Sequence, residues 1–198
     1  MTDYRAPHPF ILALLEWFWD TTNTFHFPWG EMTITPFDFA MLTGLSFTEQ
    51  PVVIDSSLNT SSAELPQLLG PICASFPKKE KHVKPGVLLE GLWMDDVTEV
   101  QRARIILLLM INSFLVPDAG AEARCQLRYL ASLRDLDQVQ NYDWAGLGYA
   151  QLLVSMRKAC RQLDSRVKVA IRGPWRVIEV LICPSSFVFL SLNMLSYL

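Results

Sequence analysis

Thr24-Phe25-His26-Phe27-Pro28-Trp29-Gly30-Glu31-Met32-Thr33-Ile34-Thr35, continued by Pro36-Phe37-Asp38-Phe39-Ala40-Met41-Leu42-Thr43-Gly44-Leu45, is the stretch that decides the fold. Thr24 to Phe27 is aromatic and β-branched, the composition of a strand. Met32-Thr33-Ile34 reads as a second strand. Between them Pro28 fixes φ and Gly30 tolerates positive φ, so Pro28-Trp29-Gly30-Glu31 reverses the chain. The pattern predicts a small β-hairpin. The period then changes. The Thr35 hydroxyl is suited to accept from the open amides of a first helical turn. Pro36 loses nothing at N1, and Asp38 at N3 meets the positive end of the helix. Thr35 and Asp38 approximate a capping box, with Asp in place of the usual Glu or Gln. Phe37, Met41 and Leu45 recur every four residues, and Gly44 supplies the stop.

Outward from this block, the pattern is helical. Ile11, Leu14, Leu15 and Phe18 share one stripe, which predicts a helix from Phe10 to Trp19 that stops at Asp20-Thr21-Thr22-Asn23. After a loop from Ser46, Ser62 reads as the cap of a helix from Ala63 to Leu69. Lys78, Lys79, Lys81 and Lys84 make Phe76 to Pro85 read as an exposed, mobile connection. Val87 to Trp93 reads as a short helix. A long helix is expected from Val97 to Leu115, with Val100, Ala103, Leu107, Met110, Ile111 and Phe114 on one face. Its run Ile105 to Ile111 is apolar all round, the mark of a central, buried element. Gln126 to Leu133 continues as helix or turn. Gly146 and Gly148 then interrupt, before a last clear helix from Tyr149 to Leu163.

The 198 residues suffice for one domain with a sizeable core. Hydrophobic residues make up 51% and charged residues 19%, which argues against intrinsic disorder. The net charge of −3 gives no global pull towards nucleic acid. Cys73, Cys125, Cys160 and Cys183 are widely spaced with no CxxC, so reduced thiols in an intracellular compartment are expected. No signal peptide is expected, since no basic region precedes an apolar core at the N-terminus.

The Thr24 to Thr35 block, with Asp38 and the Leu42-Thr43-Gly44-Leu45 helix end, resembles the plant mobile domain, a family also labelled "aminotransferase-like". Leu14, Glu16 and Trp17 resemble the pattern preceding its hairpin. Further matches follow in order: Arg102-Ala103-Arg104, Phe114-Leu115-Val116-Pro117-Asp118, Leu127-Arg128-Tyr129-Leu130, Leu133-Arg134-Asp135-Leu136 and Tyr142-Asp143-Trp144-Ala145-Gly146. The resemblance runs from about Ile11 to about Val169. Beyond it the chain departs. The family continues into a helix with a Trp-Ala-x-Glu-like motif, whereas here Gly173 to Glu179 is followed by an apolar, serine-rich segment to Leu198. A divergent terminal helix and a domain lacking its last part both remain open.

His26 has no partner set for a metal, because His8 and His82 lie in unrelated contexts; a structural imidazole is expected. Glu31 is explained by the turn and Asp38 by the helix start, rather than as an acid–base pair. The six lysines are four in the exposed connection, then Lys158 and Lys168 in charged surroundings, and no glycine-rich phosphate loop precedes a helix. Aminotransferase chemistry is therefore rejected, and no cofactor is expected. The most uneven charge lies between Arg157 and Arg176: seven cations against Asp164 alone, a net +6. Arg157, Lys158, Arg161, Arg166, Lys168, Arg172, Trp175 and Arg176 are thus the candidates for nucleic-acid or partner contact.

The expectation is a mainly α chain, a single helical domain with a small N-terminal β-hairpin. Residues 1–9 form a lead, 10–176 a plant mobile domain-like helical domain incomplete at its C-terminus, and 177–198 a divergent apolar tail. The resemblance implies a non-enzymatic plant nuclear interaction module related to transposon silencing, genome stability and meristem maintenance. It implies a protein partner, with a phosphatase-type nuclear protein as one candidate. The alternatives are a transposase-derived nucleic-acid binder and an enzyme built from distant groups such as His26, Glu31, Arg102, Arg104 and Asp118. A membrane anchor follows only if residues 177–198 form a span.

Overall fold

The computed structural model describes residues 9–117, 124–162 and 173–182. In chain order these form α1 (Pro9–Leu15), β1 (Phe18–Trp19), β2 (Thr24–Phe27), β3 (Gly30–Met32) and α2 (Pro36–Thr43). There follow α3 (Leu65–Leu69), β4 (His82–Val83), α4 (Pro85–Gly91), α5 (Glu99–Met110), β5 (Cys125–Gln126), α6 (Trp144–Cys160) and α7 (Arg176–Ile182). Short 3-10 turns occupy Pro71–Ser75, Leu127–Leu133 and Leu136–Asn141. The fold is mainly α with a small antiparallel sheet near the N-terminus. Contacts gather into two compact units, Met1–Phe47 with Gly148–Leu198, and Thr48–Leu147.

In the first unit the sheet has three strands in the order β1-β2-β3. The expected helix to Trp19 ends at Leu15 instead. Phe18 pairs with Phe25 and Trp19 with Thr24, and the Trp17 carbonyl accepts from the His26 amide at 2.9 Å. The stripe Leu14, Leu15, Phe18 is compatible with a helix, but Trp17-Phe18-Trp19 is aromatic and gains a ladder by pairing with β2. Asp20 to Asn23 is therefore a hairpin turn, closed by the left-handed Asn23 (φ 58°). In the second hairpin Phe27 faces Gly30. Pro28-Trp29 is the whole turn, Gly30 (φ 144°) already belongs to β3, and the strand begins earlier than Met32.

α2 starts as its sequence dictates. The Asp38 amide donates to Thr35 Oγ1 at 3.1 Å, and the Thr35 amide donates to Asp38 Oδ2 at 2.9 Å. Gly44 ends it in the left-handed region (φ 71°), its amide bonded to the Ala40 carbonyl. The face it buries differs from the expected stripe. Phe37 and Met41 are 72% and 69% exposed, and Phe39 alone is buried. Its ring packs edge-on to Tyr149, 5.6 Å away. The Tyr149 hydroxyl donates to the Ile34 carbonyl at 2.7 Å. Leu152, Met156 and Ala159 of α6, with Val177 and Ile178 of α7, complete this core.

In the second unit α5 is central, touching α3, α4 and the Leu127–Leu133 turn. Its cap is Thr98, in a capping box with Gln101. The buried face is Ile105, Leu108, Ile111 and Leu115, while Val100, Met110 and Phe114 of the expected face are exposed. The α-helix also stops at Met110. Ile111–Leu115 is a π turn closed by the Val116 amide on the Ile111 carbonyl, and the buried Asn112 occupies it. The Asn112 side-chain amide donates to the Leu108 carbonyl at 2.9 Å, and its oxygen accepts from the Gln126 amide at 2.8 Å.

Three further expectations change here. Ser62 does not cap α3, which begins at Leu65 after an uncapped Glu64; its hydroxyl accepts from the Asn59 amide instead. The lysine-rich connection is pinned. His82 and Val83 pair with Gln126 and Cys125, the Glu80 carbonyl accepts from Thr60, and Phe76 and Val83 are buried. Lys78, Lys79, Lys81 and Lys84 are exposed as expected, but Phe76 and Val83 turn inward and fix the segment. The glycines do not interrupt α6, which starts at Trp144. The Asp143 carboxylate accepts from the Gly146 amide at 2.8 Å, and a Cβ on Gly146 would lie 2.0 Å from that carboxylate. Glycine is required there by the capping group, so it marks the helix start rather than a break.

Candidate interaction surface

The first unit carries three exposed tryptophans around its sheet. Trp29, at the β2–β3 turn, is 82% exposed, Trp19 57% and Trp17 43%. These are large values for rings that usually drive burial. Each ring is held from one side. Trp29 stacks on Phe27 with centroids 4.9 Å apart and planes 7° apart. Trp17 lies 6.0 Å from the same Phe27 ring, at a 39° tilt. Trp19 stacks on His26 at 4.4 Å. His26 is fixed in turn by Thr24, whose Oγ1 lies 2.8 Å from Nε2, and by Glu31, whose Oε1 lies 3.5 Å from Nδ1. Below, Phe18 and Phe25 are buried and anchor the sheet. The β alternation puts Trp19 and His26 on the face opposite the buried Phe18 and Phe25, whereas Phe27 shares the Phe25 face at the end of β2 and stacks on it at 5.9 Å.

The sequence-derived basic candidates fall in three groups. Arg157 and Arg161, on α6, reach the β1–β2 turn: Arg157 Nε donates to Asn23 Oδ1 at 2.6 Å, and Arg161 donates to the Asp20 carboxylate. Lys158 is exposed on the same helix. Arg176 lies over the Trp175 ring at 4.7 Å and donates to Glu179 at 2.9 Å. Arg166, Lys168 and Arg172 lie outside the described residues. The structure therefore brings Arg157 and Arg161 together at one turn and places Trp175 with Arg176 at the start of α7.

Of the dispersed polar groups, His26 and Glu31 face each other across β2 and β3. In the second unit Arg102 donates to the Met94 carbonyl, and Arg104 to the Leu133 and Arg134 carbonyls. Asp118 lies outside the described residues. The same unit holds a half-open cleft of about 450 Å³ lined by Phe76, Val87, Glu80, His82, Lys84 and Arg124, among others. Burial pushes the Cys73 thiol up to about 11 and Cys125 to about 12, so both are neutral thiols at physiological pH. Among the described residues no group of three His, Cys, Asp or Glu side chains is placed to hold a metal. No helix among them is long and apolar enough to cross a membrane; of residues 177–198, only Val177 to Ile182 are described.

Against known families, the plant mobile domain model matches residues 1–182, through the end of α7. The chain belongs to the plant mobile domain family. Within Arabidopsis thaliana, this family member is similar to MAIN-LIKE 2, at 32% identity over 81% of the chain and 24% of that protein. It is similar to a serine/threonine-protein phosphatase 7 long form homolog, at 30% identity over 89% of the chain and 13% of that protein. It is also similar to MAINTENANCE OF MERISTEMS, at 27% identity over 78% of the chain and 33% of that protein. The chain thus spans a third or less of these relatives. No solved structure matches it.

Sequence reasoning singled out Trp29 for its turn and Trp17 only as part of the pattern preceding the hairpin, and it left Trp19 at the end of an expected helix. The available signal was three aromatics in a row ahead of a four-residue turn and a strand, a pattern that also suits a paired strand.

Proposed function

We propose that this plant mobile domain is a non-enzymatic interaction module of the nucleus, and that the exposed aromatic rings around β1, β2 and β3, Trp29 foremost, bind its protein partner. The observation that carries this reading is the exposure of Trp17, Trp19 and Trp29, each held by a neighbouring ring. Exposed aromatic side chains lose little conformational entropy on docking and are the residues on which protein interfaces concentrate energy. The names of its relatives suggest the setting, meristem maintenance and a phosphatase-type partner. Roles in transposon silencing, genome stability and gene silencing belong to the same proposal.

The test is a fluorescent fusion in plant cells together with a photo-crosslinking residue at position 29. A nuclear signal and an adduct with a phosphatase-type protein, absent when the crosslinker replaces exposed Lys79 in the other unit, are expected. Exclusion from the nucleus, or equal adducts from both positions, refutes the proposal. The net +6 between Arg157 and Arg176 supports a second reading, nucleic-acid binding. DNA retention that does not fall from low to high salt removes it.

A further inference from the structure

We infer that the outward face of α2 is covered by residues 183–198 of this same chain. Phe37 and Met41 stand four residues apart, so both side chains lie on one face of the helix. That face points away from the one that carries Phe39 into the core, and Phe37 and Met41 remain 72% and 69% exposed. Two large apolar side chains one turn apart make a patch, unlike apolar residues scattered singly over a surface. The patch is also uncharged. Asp38 is the one ionisable residue of α2, and its carboxylate is held in the cap by the Thr35 amide. Nothing on the helix therefore selects a charged occupant.

An uncharged occupant is delivered to this place by the chain itself. α7 packs against α2, and its last residue, Ile182, leads directly into residues 183–198. These sixteen residues carry no charge and include Phe187, Phe189, Leu190, Leu192, Met194 and Leu195. Apolar side chains at that density leave water for any matching surface within reach. Reach is not limiting, because sixteen extended residues span up to about 50 Å, whereas the eight residues of α2 are about 12 Å long and about 10 Å across. A tethered segment docks at an effective concentration in the millimolar range, ahead of a free partner of equal affinity. The fold also divides the apolar run that begins at Val177. Val177 and Ile178 are already in the core, and Glu179 is paired with Arg176 at 2.9 Å. A membrane would have to unpack α7 to take the run whole. The family match stops at residue 182, so the segment lies beyond the matched region.

Methionine oxidation in the full chain reads the cover directly. Met41 and Met110 are similarly exposed, at 69% and 59%, and Met110 lies in the other unit, where it serves as the internal standard. Under dilute hydrogen peroxide, followed by peptide mass spectrometry, Met41 should oxidise roughly tenfold more slowly than Met110, the ratio for a docked form about ten times as populated as the open one. The double variant Phe187→Ser, Phe189→Ser alters only the segment and should bring Met41 to the Met110 rate. Equal rates in the native chain, or protection that survives the double variant, overturns the inference. Protection that disappears on dilution assigns the face to a second copy and also overturns it. Flotation of the chain with phosphatidylcholine vesicles, with Met41 as reactive as Met110, gives the segment to lipid and does the same. Oxidation at Met41 and crosslinking at position 29 are read separately, so the cover of α2 and the partner at Trp29 can fail independently.

Discussion

Helices α2 and α5 begin on the same device, a threonine cap with a reciprocal bond from the third residue on, and then part company. In α2 the pair is Thr35 with Asp38; in α5 it is Thr98 with Gln101. The α2 box is closed on itself at the surface. The α5 box is tied to a neighbour, because Gln101 Nε2 also donates to the Gln67 carbonyl at 3.2 Å and lies 3.4 Å from that of Pro66. At their far ends α2 stops on a left-handed glycine, whereas α5 runs into a π turn bonded to β5 through Asn112. A local rule sets where both helices start. What each start contributes depends on what the rest of its unit brings to it.

Asn112→Ala should have the largest effect. It leaves the buried Leu108 carbonyl and the Gln126 amide without their side-chain partner, and the cost should be about 3 kcal/mol. Urea denaturation followed by circular dichroism gives the value. A loss as small as that of a surface substitution would mean that the π turn holds without its bond to β5.

The terminating glycines come next. Gly44 (φ 71°) has nothing within 4 Å of a built Cβ, so Gly44→Ala meets backbone strain alone, about 1 kcal/mol. Gly70 (φ 81°) ends α3, and its Cβ would lie 2.8 Å from Gln101 Oε1. Gly70→Ala should therefore cost more, about 2 kcal/mol, by adding displacement of the α5 cap to the strain of a conformation (ψ −161°) essentially confined to glycine. Equal losses in denaturant melts would mean that neither the Gln101 contact nor the backbone at Gly70 resists a side chain. The caps themselves follow: Gln101→Ala should cost about 1.5 kcal/mol and Asp38→Ala about 0.5 kcal/mol, since only the first removes bonds to another helix.

The same contrast explains what could be read from the chain. The capping box, Pro36 at N1 and Gly44 were legible because each acts within four residues. The plant mobile domain membership was legible for a similar reason, resting on contiguous blocks such as Thr24 to Thr35. The buried face of α5 was not. A run that is apolar all round carries no phase, and α3, α4 and the Leu127–Leu133 turn select Ile105 and Leu108. β1 was hidden because Leu14, Leu15 and Phe18 satisfy a helical stripe while the partner of Phe18 lies across a turn at Phe25. The aromatic surface was half hidden with it. Composition shows how many tryptophans there are, but only the strand register shows which of them face out.

The smallest effect separates the two boxes by chemistry rather than by packing. Hydrogen bonds from the Thr35 hydroxyl, then from its backbone amide, hold the Asp38 carboxyl below its ordinary value of 3.8. A carboxylate whose folded pKa is depressed contributes stability that is fully present above the unfolded value and lost as pH falls through the folded one. The α2 start should therefore loosen on acidification just below the ordinary carboxylate range. Gln101 has no proton to gain, so the α5 start should not. Because Asp38 is near the surface and screened, the change should be a few tenths of a kcal/mol, too small for a melt. Amide exchange of the first-turn residues of each helix, followed as pH falls, resolves it. Protection at Asp38 should drop before protection at Gln101, after correction for intrinsic exchange, and Asp38→Asn should abolish the difference. If both amides lose protection together in the native chain, the α2 box is not an independent device, and its opening follows the unfolding of its unit.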